Sequence, residues 1–198
     1  MASLTMNDLS FYEPMRKNWF IVQFESGLGS SDDQSALTIA CKTCDIPQLT
    51  TTENVIDRLN DKVYTAGKSE YGTISMSFYE YISDSLGEGS GNKYPSAGQV
   101  LYAWQQSQHN VKTGVQGAKK NVSKNVAIVQ IDGNGNAVRV WNVYRAWPTV
   151  VEFDSLDSSD GAIQAVNVTL RFDWAEQKDA KIEISSGTPE TLNTPVLG

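Results

Sequence analysis

The sequence is short of the residues that most chemistry needs. It has one histidine, His109, and two cysteines, Cys41 and Cys44. A Ser-His-Asp arrangement would have to run through His109 without a serine nucleophile motif, and no G-x-S-x-G, phosphate-loop, H-E-x-x-H or dinucleotide pattern is present. A non-enzymatic role without cofactor or metal is therefore expected. The single C-x-x-C pair supplies two thiols where a structural zinc needs four ligands. Cys41 and Cys44 read as ordinary thiols at a strand end, with an inter-subunit disulfide as the alternative. The acidic run Glu152-Phe-Asp-Ser-Leu-Asp-Ser-Ser-Asp160 offers oxygen ligands in Asp154, Asp157 and Asp160, but lacks the calcium-loop spacing and its terminal Glu.

Positive charge is also scarce: 16 Lys and Arg against 23 Asp and Glu, a net charge of -7. A protein that grips nucleic acid by its phosphates needs clustered cations. The one cluster, Lys112, Lys119, Lys120 and Lys124, has no interleaved aromatics and reads as a solvated loop, with a partner contact as the alternative. No apolar run approaches the roughly 20 residues that span a bilayer. Met1 to Asp8 shows neither a basic nor an apolar leader segment, so the default expectation is synthesis in a reducing cytoplasm with no membrane anchoring. On that basis the sequons at Asn121 and Asn167 are chance matches.

What the chain has in quantity is β pattern. From Gln164 to Trp174 the even positions carry Val166, Val168, Leu170, Phe172 and Trp174, and the odd ones carry Asn167, Thr169, Arg171 and Asp173. Alternate side chains on a strand face opposite ways, so this strand has one apolar and one wet face. Asn125–Asp132 and Ala137–Tyr144 flank Gly133-Asn-Gly-Asn136, a hairpin signal. Trp19–Phe24 predicts a first strand, with Phe20, Val22 and Phe24 on one face. Residues 27–34 read as turn, and Ala36–Lys42 as a second strand presenting Leu37, Ile39 and Cys41, giving a first hairpin that Ile46-Pro47 ends. Thr50–Ile56 is β-prone, residues 57–68 read as a long polar loop of the kind kept for a function, and Thr73–Tyr79 alternates again. Residues 83–92 read as a flexible connection. The one convincing helix spans about 95–108, with Pro95 in its first turn and Ala97, Val100, Leu101, Trp104 and Gln108 on one face. A domain over 18–176, an arm over 1–17 and a low-complexity extension over 177–198 complete the organisation.

Four segments in this order resemble the tail tube proteins of contractile-tailed bacteriophages. They are Asn18-Trp-Phe-Ile-Val-Gln-Phe24, Lys42-Thr-Cys-Asp-Ile-Pro47, Arg58-Leu-Asn-Asp-Lys-Val-Tyr-Thr-Ala-Gly67, and Trp147-Pro-Thr-Val-Val151 leading to Val166–Trp174. The resemblance covers residues 18–176. It implies an antiparallel β-sandwich or barrel-like domain with one flanking helix, whose inner sheets join across a hexameric ring into a continuous barrel. Rings stack into a hollow tube inside a contractile sheath. It also implies an inter-ring role for the 57–70 segment, here Arg58, Asn60, Lys62, Tyr64, Gly67 and Lys68. The implied partners are further copies of the chain, the sheath, the baseplate and the tail terminator, with tape-measure protein and genomic DNA loosely held in the lumen. The implied location is the virion tail, assembled in the host cytoplasm. The chain departs from compact members of the family in its 83–94 segment, its Lys112–Lys124 loop and its tail after Glu176.

A sheet lining a channel needs a polar face, which Ser75, Ser77, Asn167, Thr169, Arg171 and Asp173 offer; closure across subunits also removes open strand edges. An acidic, water-lined bore would let DNA slide without sticking. Two other readings stand beside this one: a baseplate or terminator ring, and a carbohydrate-binding sandwich that stacks sugars on exposed aromatics.

Overall fold

A computed structural model of the chain describes residues 14–24, 28, 31–82 and 95–179. The 83–94 connection and most of both the predicted arm and the predicted extension lie outside the described residues. Strands dominate: β1 (Phe20–Phe24), β2 (Cys41–Cys44), β3 (Leu49–Arg58), β4 (Asp61–Tyr71), β5 (Ile74–Tyr79), β6 (His109–Asn110), β7 (Val115–Gln116), β8 (Lys124–Ile131), β9 (Ala137–Phe153), β10 (Ala165–Arg171) and β11 (Trp174–Asp179). Among the described residues three helices accompany them: α1 (Ser31–Ala40), α2 (Ala97–Gln108) and α3 (Lys119–Val122). The fold is mainly β and antiparallel, as the alternation predicts.

The main sheet runs β1-β8-β9-β10-β5-β2, with β11 also paired to β9. Strand β9 belongs to two leaves. Its first part, Ala137 to Ala146, pairs with β8 and β11, and its second, Trp147 to Phe153, pairs with β10. Near the end of the first part Arg145 takes φ 55°, a left-handed conformation that costs a non-glycine residue energy. The two leaves face each other across one core. Val22, Phe24, Val126, Ile128 and Val143 come from the first leaf, and Ile74, Met76, Phe78, Val166, Val168 and Leu170 from the second. The path ends on β1 and β2, which do not pair, so the single chain forms an open sheet and not a closed barrel.

Helix α2 covers the core with Leu101 and Trp104, as its stripe predicts. Its start lies two residues later than expected. Ser96 is the N-cap and bonds reciprocally with Gln99, so Pro95 precedes the helix. The Trp104 indole donates to the Val122 carbonyl at 2.7 Å, and the Gln108 amide donates to that of Pro148 at 2.7 Å.

Three expectations are overturned. Residues 31–40 form helix α1, not a turn and strand: Ala36, Leu37 and Ala40 are buried while Ile39 is exposed, a helical period. The first hairpin therefore does not exist, because β1 pairs with β8 and β2 with β5. The stretch read as a polar loop is the end of a long hairpin. Strands β3 and β4 pair from Leu49 opposite Tyr71 to Arg58 opposite Asp61, in a two-stranded sheet of their own.

Candidate assembly surfaces

Two surfaces gather the residues singled out by the sequence. The first is the β3–β4 arm. Almost all of its residues are exposed, including both members of two cross-strand apolar pairs. Val55 opposes Tyr64 on one face and Ile56 opposes Val63 on the other, so each face carries one such pair. An isolated two-stranded hairpin is marginal in water; this one is fastened at its root. The Tyr71 phenol donates to the Ala175 carbonyl at 2.9 Å and its ring meets Phe172, Glu70 pairs with Arg171, and the Gly72 N–H donates to Gln48.

Of the predicted contact residues, Arg58 and Asn60 lie at the tip, beside Leu59 with φ 40°. Lys62 sits 3.9 Å from Asp57, and Tyr64 is displayed on a face. Gly67 has an internal role. The strands slip register at Thr52, and a Cβ on Gly67 would lie 2.6 Å from Thr52 Oγ1 and 2.9 Å from its carbonyl oxygen. The Lys68 carbonyl accepts a bond from Thr52 Oγ1.

The second surface is the outer face of the β9-β10-β5-β2 leaf. Asn167 pairs with Ser77 and Thr169 with Ser75, with Val150 and Glu152 continuing the row on β9 and Thr43 on β2. All six core residues of β5 and β10 point the other way. Arg171 belongs to this face and is neutralised by Glu70. Val150 apart, the row is polar with charges of both signs, rather than acidic as net charge suggested.

Asp173 does not join it. The alternation that runs unbroken to Trp174 in sequence is interrupted in space: β10 ends at Arg171, and β11 begins at Trp174 in the other leaf. Asp173 lies in that break, accepting from Lys119 Nζ at 2.6 Å and lying 3.5 Å from Arg145. The hydrogen bond from Lys119, then the charges of Lys119 and Arg145, hold its carboxyl below the usual range. Trp174, expected in the core, is 45% exposed and stacks on Tyr144, ring centroids 3.9 Å apart.

Cys41 and Cys44 are free and partly buried, packed against the core. Burial pushes the Cys41 thiol up to about 12 and raises Cys44 as well, with the Cys41 and Asp45 charges adding to the second. Thiolate is the reactive species, so both thiols are held in the less reactive protonated form. The exposed aromatics do not line up as a sugar platform among the described residues: Tyr64 is on the arm, Tyr102 and Phe153 meet beside α2, and Trp174 sits at the strand break. No described group of three or more His, Cys, Asp or Glu is placed to hold a metal, and no described helix is long and apolar enough to cross a membrane.

Comparison with known proteins agrees with this geometry. Residues 92–176, from just before α2 into β11, match the family of the T4-like virus tail tube protein gp19. No curated protein sequence matches the chain. Among solved structures, a chain of the anti-feeding prophage baseplate, 6-fold symmetrised, superposes with a TM-score of 0.62 at 13% identity, over 87% of this chain and 100% of that one. A chain of the sheath-tube complex of an extracellular contractile injection system in its extended state gives 0.59 at 19%, over 90% and 100%. One from the sheath/tube terminator of such a system gives 0.60 at 16%, over 85% and 99%. At these identities the likeness is one of fold. The resemblance read from the sequence holds over residues 92–176, which match the T4-like virus tail tube family.

Proposed function

We propose that the protein is the repeating subunit of a tail tube, a passive conduit through which a particle delivers its payload. Subunits form hexameric rings in which the outer face of the β9-β10-β5-β2 leaf lines the bore, and rings stack inside a contractile sheath. The observation that carries this reading is the β3–β4 arm, whose strands pair only with each other among the described strands and which displays apolar pairs on both faces. Such an arm loses water from those pairs only when it lies between other surfaces, which a neighbouring ring supplies.

The proposed lining suits a conduit. Ser75, Ser77, Asn167 and Thr169 are short, hydrated and uncharged, and the guanidinium of Arg171 is already paired with Glu70. Clustered cations, which would hold DNA by counterion release, are absent from this described face. The work of ejection is left to the sheath. Baseplate, terminator and tape-measure contacts follow from the same role, as does a location in the particle's tail after assembly in the host cytoplasm.

Sedimentation velocity with negative-stain microscopy tests the reading. The expected result is concentration-dependent growth into sixfold rings and hollow tubes of uniform width. Rings that never extend would favour a terminator or baseplate role, and monomers that bind immobilised glycans would favour the carbohydrate-binding alternative.

A further inference from the structure

The sequence's one basic cluster and its one acidic run have no part in the account so far. Lys119, Lys120, Ser123, Asn125, Tyr144, Arg145 and Trp174 line a cleft of about 510 Å³ at the break between β10 and β11. Three cations line it, with the carboxylates of Asp173 and Glu176 beside it, on a chain whose net charge is -7. Lys119 and Arg145 share Asp173, and no described residue pairs with Lys120. The cleft is built: Asn125 Oδ1 holds the Arg145 N–H at 3.0 Å, and Tyr144 backs one side of the Trp174 ring.

The β9–β10 loop has the opposite character. Residues 152–164 contain Glu152, Asp154, Asp157 and Asp160 and no basic residue. Its tip presents Leu156, 86% exposed, and Ile163 is exposed as well. The loop is pre-shaped: Asp157 Oδ1 accepts from the Ser159 N–H and hydroxyl, Asp160 from Ala162, and Asp154 from Ala165. Cleft and loop flank opposite ends of β10, whose seven residues separate them by about 23 Å at the rise of an extended strand. They cannot meet within one chain.

We infer that the acidic loop of one copy of this chain docks into the basic cleft of the next, with Leu156 on the open side of Trp174 and the loop carboxylates near Lys120 and Arg145. A contact between different patches of identical subunits is head-to-tail, so it propagates. It needs no help from the β3–β4 arm, which gives an assembly two separate contacts. The inference rests on the tube reading for its setting, and its test separates the two.

The test uses two reversals, Lys120→Glu in the cleft and Asp157→Lys in the loop. Each alone is expected to raise the concentration needed for assembly about tenfold or more. An equimolar mixture of the two variants restores assembly, because each reversed cleft then meets a reversed loop. Single variants that assemble like the parent, or a mixture no better than its components, overturn the contact. A second measurement needs no assembly: a peptide of residues 152–164 is expected to shift the Trp174 indole resonance of the protomer, and not that of Lys120→Glu. Absence of the shift overturns the contact even where tubes form. A protein that binds the peptide but never assembles overturns the tube reading and leaves the contact standing.

Discussion

The phenol of Tyr71, last residue of β4, donates to the Ala175 carbonyl in β11 at 2.9 Å, across 104 positions of sequence. That bond and the Tyr71–Phe172 ring contact fasten the root of the arm to the junction of the two leaves. Tyr71→Phe keeps the ring and removes the bond. It is expected to cost about 1 kcal/mol in chemical denaturation. It should also speed amide exchange in β3 and β4 more than in β8 or β10, and uniform protection across all four strands would contradict this.

Ile56 and Val63 face each other on one side of the arm and pack on no other described element. Ile56→Asp should therefore leave the protomer's stability within about 0.5 kcal/mol, as exposed substitutions do, while abolishing ring stacking. Normal tubes from this variant would remove the arm from the inter-ring contact.

Asp173 gives a pH dependence with a definite sign. Its carboxyl is held below its ordinary value by Lys119 and Arg145, so it stabilises the fold at neutral pH. That contribution is lost as pH falls below about 4 and through the lowered folded value. Asp173→Asn should cost about 0.5–1 kcal/mol at pH 7, the range of a surface ion-pair network, and the gap should close in acid. A gap constant from pH 7 to pH 2 would refute it.

The partly buried thiols predict slow alkylation. Cys41 and Cys44 should alkylate far more slowly with iodoacetamide at pH 8 in folded protein than in urea. Assembled protein on non-reducing gels should run as monomer. Ladders that collapse with reductant would restore the inter-subunit disulfide.

Much of this fold is legible from side-chain periodicity, and the departures have physical causes. Strands β5, β8 and β10 and helix α2 each bury one face in the core, so their alternation or stripe survives in the sequence. Over Ala36–Lys42 the large apolar residues Leu37, Ile39 and Cys41 fall on a period of two, while the helix buries Leu37 with the small Ala36 and Ala40, which mark its period only faintly. Residues 57–68 show no alternation because neither face of the arm is buried in one chain, and backbone pairing leaves no mark on composition. Val166 to Trp174 alternates without a flaw, yet the chain changes leaf at Asp173, since both leaves share one core and the pattern is the same in each. The polar faces of β5 and β10 are readable individually; their alignment depends on a register, Asn167 to Ser77, that no local signal encodes.

The central claim concerns which surface lines the bore, and a cryo-EM reconstruction of assembled protein tests it most directly. The account predicts sixfold rings with Ser75, Ser77, Asn167 and Thr169 facing the channel and the β3–β4 arm lying against the adjacent ring. A tube with those four residues on its outside, or an arm folded back on its own subunit, would contradict it.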